Sequence, residues 1–206
     1  MTKSDKKTTY HHGDLRESLL LAAHSIILDA GIDGLSLRKL AEQVGVSRTA
    51  PYHHFKDKNE LLCAIAEDGF VQMGQITSAI FLDSRLSKGD RYRGYIHAYI
   101  DFAASNPEIY DLMFGRTIWQ QNQVTSKLQD TAYNSFQSQL HQVKELQKDH
   151  ILPPDENSLR FAQVSWGTLH GIARLVIDGI YADTSHIDEM CECAANLFLN
   201  NENHTQ

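Results

Sequence analysis

An all-α fold is predicted from three observations. Apolar residues recur at three- and four-residue spacing through most of the chain, helix-start and helix-stop residues punctuate those runs, and no useful stretch alternates as a strand does. Only four prolines are present, three of them at expected helix boundaries. The order of the elements predicts a basic arm over 1–13, a three-helix helix-turn-helix domain over 14–60, and a larger helical domain over 82–206. A helix over about 58–81 joins the two domains, and the expected total is about nine helices.

The first helix of the smaller domain is expected to open on a capping pair, Asp14 and Glu17. Leu15, Leu19, Ala22, Ile26 and Ala30 then form an apolar stripe, and Gly31 stops the helix. Ser36 caps the second helix, whose buried face is Leu37, Leu40, Ala41 and Val44. Gly45 makes the sharp corner, which needs a residue tolerant of positive φ. Ser47 caps the third helix, with Val46, Ala50 and Phe55 inward and Arg48, Thr49, Pro51, Tyr52, His53 and His54 outward or sideways. Pro51 falls near the fourth helical position, so its missing amide predicts a tightened start to this helix. Asp57 and Glu60 form a second capping box, opening a helix with Leu62, Ile65, Gly69, Met73, Ile76 and Ile80 in register.

In the larger domain, a Tyr- and Ile-rich helix is predicted from Tyr92 to Ala104, and Asn106-Pro107 starts a short one ending near Gly115. A long helix over roughly 121–148 has sparse apolar positions (Val124, Leu128, Ala132, Phe136, Leu140, Val143), predicting one solvated face, and Pro153-Pro154 breaks it. From Asn157 to about Ile180, apolar residues occupy nearly every face, which predicts burial in the body or beneath another subunit. A last helix over about 185–200 carries Ile187, Cys191, Ala194 and Phe198. This terminal pair predicts a homodimer interface of four helices.

Composition narrows the function classes. Hydrophobic residues at 42% and charged ones at 22% fit a folded soluble chain. No apolar run approaches the ~20 residues of a bilayer span. The opening MTKSDKKTTYHHGD has no apolar signal core, which predicts a cytoplasmic protein without a membrane partner. Cys63 lies far from Cys191 and Cys193, and no zinc-type spacing accompanies Cys191-x-Cys193, so neither disulfides, a metal nor a cofactor is expected. The net charge is −7, but residues 1–60 hold nine Lys and Arg against eight Asp and Glu, whereas the remainder holds ten against eighteen. Positive charge is thus concentrated at the expected reading end, as a nucleic-acid partner requires. Neither a glycine-rich phosphate loop, a nucleophile elbow nor a distinctive carboxylate pair is present, so catalysis is not predicted.

The residues predicted to face double-stranded DNA are Arg38, Ser47, Arg48, Thr49, Pro51, Tyr52, His53, His54 and Lys58. At the start of a recognition helix, Arg48 can pair with guanine and Thr49 can meet a thymine methyl. Tyr52 is either a core aromatic or, with His54 and Lys58, one of three donors along a phosphate strand; His53 meets a phosphate or a base. Lys58 also sits where the free amides of a helix start attract anions. Lys3, Lys6 and Lys7 either solubilise the tail or track DNA. Trp166 and His170 share a helix face and either pack in the core or line a small-molecule pocket, to which Tyr95, His97, Tyr99 and Tyr110 can also contribute. Gly167 and Gly171, also four apart, predict close approach by another helix.

Residues 10–75 resemble the TetR family of bacterial transcriptional regulators. The resemblance rests on Ser36-Leu-Arg-Lys-Leu-Ala, Gly45-Val-Ser and Tyr52-His-His-Phe-Lys-Asp-Lys-Asn-Glu-Leu61. Thr9-Tyr-His-His-Gly-Asp-Leu-Arg16, Arg48-Thr-Ala-Pro-Tyr52 and Trp166-Gly-Thr-Leu-His-Gly171 resemble a subgroup with a Trp-x-x-x-His-Gly motif in its C-terminal domain. The resemblance implies an Ω-shaped homodimer that presents two reading heads to a palindromic operator, with Tyr52, His54 and Lys58 on phosphates. It also implies a body pocket for a small-molecule effector of unknown identity that loosens the DNA complex. The expected function is therefore a ligand-released repressor. The rivals are a small-molecule-binding or enzymatic helical protein and a regulator controlled by a protein partner.

Overall fold

The computed structural model describes residues 15–119, 124–181 and 186–200, and among these no strand occurs. The basic arm and Asp14 of the first capping pair lie outside the described residues. The chain divides into two compact units, one ending at Ile65 and the next beginning at Ala66.

The first unit contains α1 (Leu15–Ala30), a 3-10 turn (Ile32–Gly34), α2 (Leu37–Val44), a second 3-10 turn (Ala50–His53) and the start of α3 (Lys58–Leu82). The buried face of α1 is Leu19, Leu20, Ala23, Ile26 and Ile27. The expected stripe was rotated from this, since Ala22 is only half-buried and Ala30 is exposed. Positions 19, 23, 26 and 27 also satisfy helical spacing, and a long run of Leu, Ile and Ala leaves more than one stripe available. Gly31 ends α1 at φ 66° and ψ 178°, a conformation open essentially to glycine. The Ser36 side chain accepts from the Lys39 amide at 3.2 Å and caps α2. Gly45 closes α2 in the left-handed conformation, φ 75° and ψ 31°. Phe55, 1% exposed, joins Leu19, Leu40 and Leu61 in the core of this unit.

The second unit holds the rest of α3, then α4 (Lys88–Ser105), α5 (Pro107–Phe114), α6 (Arg116–Trp119), α7 (Ser126–Lys148), α8 (Ser158–Ile177) and α9 (Ile187–Phe198). Helix α4 packs against α8 and α9, and α7 packs against α8. Side-chain caps from Ser87, Thr125 and Asn157 start α4, α7 and α8. Helix α7 ends at Lys148, before the two prolines, because His150 turns left-handed at φ 57° and the Ile151 amide returns to the Leu146 carbonyl at 2.9 Å. Tyr95, Ile96, Tyr99 and Ile100 place α4 at the centre of this core. Helix α8 is not buried on every side. Ala162, Ser165, Leu169 and Ala173 point inward, while Val164 is 63% exposed. Cys63, Cys191 and Cys193 are free thiols. Among the described residues no helix is long and apolar enough to cross a membrane, and no group of His, Cys, Asp and Glu is placed to hold a metal.

Candidate functional site

In the first unit the segment after Gly45 departs from the expected α-helix. The Ala50, Tyr52 and His54 amides donate to the Ser47, Thr49 and Pro51 carbonyls at 3.0, 3.1 and 3.0 Å, a three-residue ladder. Pro51 is the cause. An α-helix needs the residue 51 amide on the Ser47 carbonyl, and proline has none, so Ala50 takes that acceptor instead. Ser47 does not cap a helix; its hydroxyl pairs with that of Thr49 at 3.1 Å. Pro51 itself is buried in the tightened turn, not outward.

The same tightening leaves Arg48, Thr49, Tyr52 and His53 exposed, along with Arg38 and Ser47. Tyr52 is 56% exposed and so is not a core aromatic. His54 is half-buried, its ring 6.4 Å from that of Phe55. Arg16 lies over the Phe55 ring at 5.6 Å, holding α1 to this segment through a cation–π contact. Asp57 caps α3 by accepting from the Glu60 amide at 2.9 Å, and the Glu60 carboxylate accepts from the Lys56 amide at 2.7 Å. The return bond thus reaches one residue further back than the usual capping box. Lys58 is half-buried, and its Nζ donates to the Ile32 carbonyl at 2.9 Å. One of its three hydrogens therefore braces the link between α1 and α2.

In the second unit, α3, α4, α5, α7 and α8 line a cavity of about 380 Å³ that is open to solvent on one side. One wall is aromatic: Tyr95, Tyr99, Phe114, Phe136 and Trp166. Phe136 stacks on Trp166 at 5.4 Å between ring centroids, and Phe114 meets Trp166 edge-on at 5.8 Å. Behind this wall runs a hydrogen-bond chain. Trp166 Nε1 donates to Tyr99 Oη at 2.9 Å, Tyr99 Oη is 2.9 Å from Tyr110 Oη, and Tyr110 Oη is 2.7 Å from His170 Nδ1. An indole N–H can only donate, so the chain closes with every hydrogen used when Tyr99 donates to Tyr110 and Tyr110 to Nδ1. That assigns neutral His170 with its proton on Nε2. Burial and the nearby Arg174 guanidinium lower the His170 pKa, in the same direction. Burial likewise raises Tyr99 and Tyr110 above the ordinary phenol value.

Of the residues expected around a pocket, Trp166, Tyr99 and Tyr95 line the cavity. Tyr110 and His170 stand behind it, within the chain. His97 does not contribute: its ring nitrogen pairs with Glu192 of α9 at 2.9 Å, and Arg93 holds the same carboxylate at 2.6 Å.

Residues 19–65 match the family described as "Bacterial regulatory proteins, tetR family", and residues 92–197 match "Tetracyclin repressor-like, C-terminal domain". The chain belongs to the TetR family. It is a DNA-binding transcriptional regulator and not an enzyme. Among solved structures, a protein of unknown function from Rhodococcus sp. RHA1 is similar over 93% of this chain and 97% of its own, with 33% identity and a TM-score of 0.80. The fatty acid degradation regulator FadR from Bacillus halodurans shares the fold, with a TM-score of 0.69 at 13% identity, over 95% of this chain and all of its own. The nucleoid occlusion factor SlmA of Vibrio campbellii is 26% identical over 84% of this chain and 90% of its own. The tetracycline repressor protein class C of Escherichia coli is 46% identical, but that match spans about a quarter of either chain (25% and 24%).

What sequence reasoning missed in this TetR-family regulator is the cavity side of α7. Asn134, Ser135, Gln139 and Gln142 line the cavity, although this face was expected to be solvated. A signal was present: between Thr131 and Gln142 no Asp, Glu, Lys or Arg occurs, unusual for a face meant for water.

Proposed function

We propose that this TetR-family regulator is a repressor released from a palindromic operator by a small molecule. The observation that carries this reading is the 380 Å³ cavity in the unit that follows the DNA-reading one. Its size and its aromatic wall, set against a face of uncharged polar groups, suit a small ligand. Tetracycline repressor class C and AcnR of Corynebacterium diphtheriae, both named as repressors, support the direction of control; their matches cover 24% and 33% of their lengths. Arg48 and Thr49 read bases, Tyr52, His54 and Lys58 hold the phosphate strand, and His53 meets a phosphate or a base, with Arg38 and Ser47 flanking them. Residues 14–60 form the reading domain, the arm over 1–13 follows phosphates, and residues from 82 onward form the receiver.

The receiver dimerises through α8 and α9. Val164 and Leu197 are 63% and 74% exposed in the single chain. Gly167 and Gly171 have nothing within 4 Å of where a Cβ would stand, room for a second helix to approach. Release then follows from the ligand's preference for a spacing of the two heads that no longer fits successive major grooves.

The test is a gel shift with the intergenic DNA beside the regulator's own coding sequence. A specific complex that weakens with salt, and that dissolves with a compound that also raises the melting temperature, is the expected result. Absence of any specific complex overturns the proposal.

A further inference from the structure

We propose that the effector taken by this cavity is an uncharged molecule with a flat aromatic body and a neutral polar edge, so that anions and cations of the same shape are rejected. This rests on the reading of the cavity as the effector site, and it deepens that reading by naming the ligand's chemistry.

The first ground is charge. Among the described residues, none that lines the cavity is Asp, Glu, Lys, Arg or His. A ligand charge that leaves water here finds no counter-ion, a cost that neutral amides and hydroxyls repay only in part. The two lining phenols stay neutral as well, since burial raises both Tyr95 and Tyr99 well above the usual value.

The second ground is the division of the lining into two faces. Phe114, Phe136 and Trp166 offer ring surfaces that suit a planar apolar body. On this wall the Trp166 N–H and the Tyr99 hydroxyl are committed to the chain that ends on His170, so neither donates to a ligand. The opposite face is amides and hydroxyls. Thr77, Thr131 and Ser138 already donate to carbonyls of their own helices, at 3.0, 2.8 and 3.0 Å. Gln75, Asn134, Gln139 and Gln142 make no side-chain hydrogen bond among the described residues and line the same cavity. Carboxamides both donate and accept, so they recognise a neutral amide, phenol or ketone edge. A site with unengaged amides and without charge discriminates by formal charge first.

The experiment uses the full-length protein and four bicyclic probes at pH 7.5: naphthalene-2-carboxamide, 2-naphthoate, 2-naphthylmethylammonium and naphthalene, measured by calorimetry and by quenching of tryptophan fluorescence. The carboxamide is expected to bind at least tenfold tighter than either charged probe and several-fold tighter than naphthalene. In Gln139→Leu/Gln142→Leu, whose side chains are half-buried and outside the core, the carboxamide falls to the level of naphthalene. In Gln142→Lys the naphthoate gains about tenfold. Equal binding of the anion or the cation overturns the inference, as does failure of all four probes to bind. A gel shift run beside it separates the two claims. Carboxamide binding that never loosens the DNA complex leaves the cavity chemistry standing and sinks the effector reading. A charged compound that binds the cavity and releases DNA does the reverse.

Discussion

Lys58 Nζ donates to the Ile32 carbonyl at 2.9 Å, joining the first turn of α3 to the link between α1 and α2. A lysine at this place serves the architecture of the reading unit before it meets any DNA. Bonds from charged donors contribute about 1.5–3 kcal/mol when buried, and partial exposure reduces this. Lys58→Ala is therefore expected to lower stability by about 1 kcal/mol in urea unfolding, in addition to weakening DNA binding. Unchanged unfolding with weakened DNA binding would instead assign Lys58 to phosphate contact alone.

Arg48 and Tyr52 stand on the same exposed segment, and the proposal gives them different roles. Arg48→Ala is expected to cost about 1–3 kcal/mol on the best site and little on random DNA, relaxing preference at one base position. Tyr52→Phe is expected to weaken all sequences alike. Binding measured on a set of single-base operator variants distinguishes the two patterns, and the same profile for both substitutions contradicts the division.

Tyr99→Phe removes the acceptor of the Trp166 N–H and the donor to Tyr110 together. Leaving such buried groups unsatisfied costs about 1–3 kcal/mol each in mutational series. A loss in that range is expected from chemical unfolding. The double variant Tyr99→Phe/Trp166→Phe is expected to lose less than the sum of the single ones, since one bond is shared. Full additivity would mean that the chain does not act as a unit.

The pH dependence follows from His170. Its folded pKa lies below the ordinary 6.5, chiefly through burial and then through Arg174, which Asp111 and Asp178 in turn pair. As pH falls, the unfolded chain takes up this proton first, so the stability due to neutral His170 is complete above about 6.5 and is lost toward the depressed folded value. His170→Gln keeps an acceptor for Tyr110 and cannot charge. Melting temperatures between pH 8 and 5 are expected to fall less for this variant than for the wild type, the difference in slope appearing only on the acid side of 6.5. Parallel curves would remove His170 from the account.

Much of this was legible in the residues, for reasons that are local. Ser36, Gly45 and Asp57 act on the few amides or the single backbone angle beside them, so their roles do not wait on tertiary structure. Three features needed the fold. Helix α1 has apolar residues to spare, and only packing selects the 19, 23, 26 and 27 face. Pro51 was seen to tighten its turn, but the proline is also buried there, which spacing alone does not show. The amide face of α7 has the polarity of a solvated surface, and what separates it from one is its lack of charge and its position across from Trp166.

The central claim is sequence-specific reading by two heads held at one spacing. Selection from random-sequence DNA with the full-length protein tests it most directly. The expected product is an inverted repeat whose half-sites lie one helical turn or a multiple of it apart, about 34–36 Å for one turn, and which Arg48→Ala no longer enriches. Recovery of no repeat, or of the same repeat by Arg48→Ala, would contradict it.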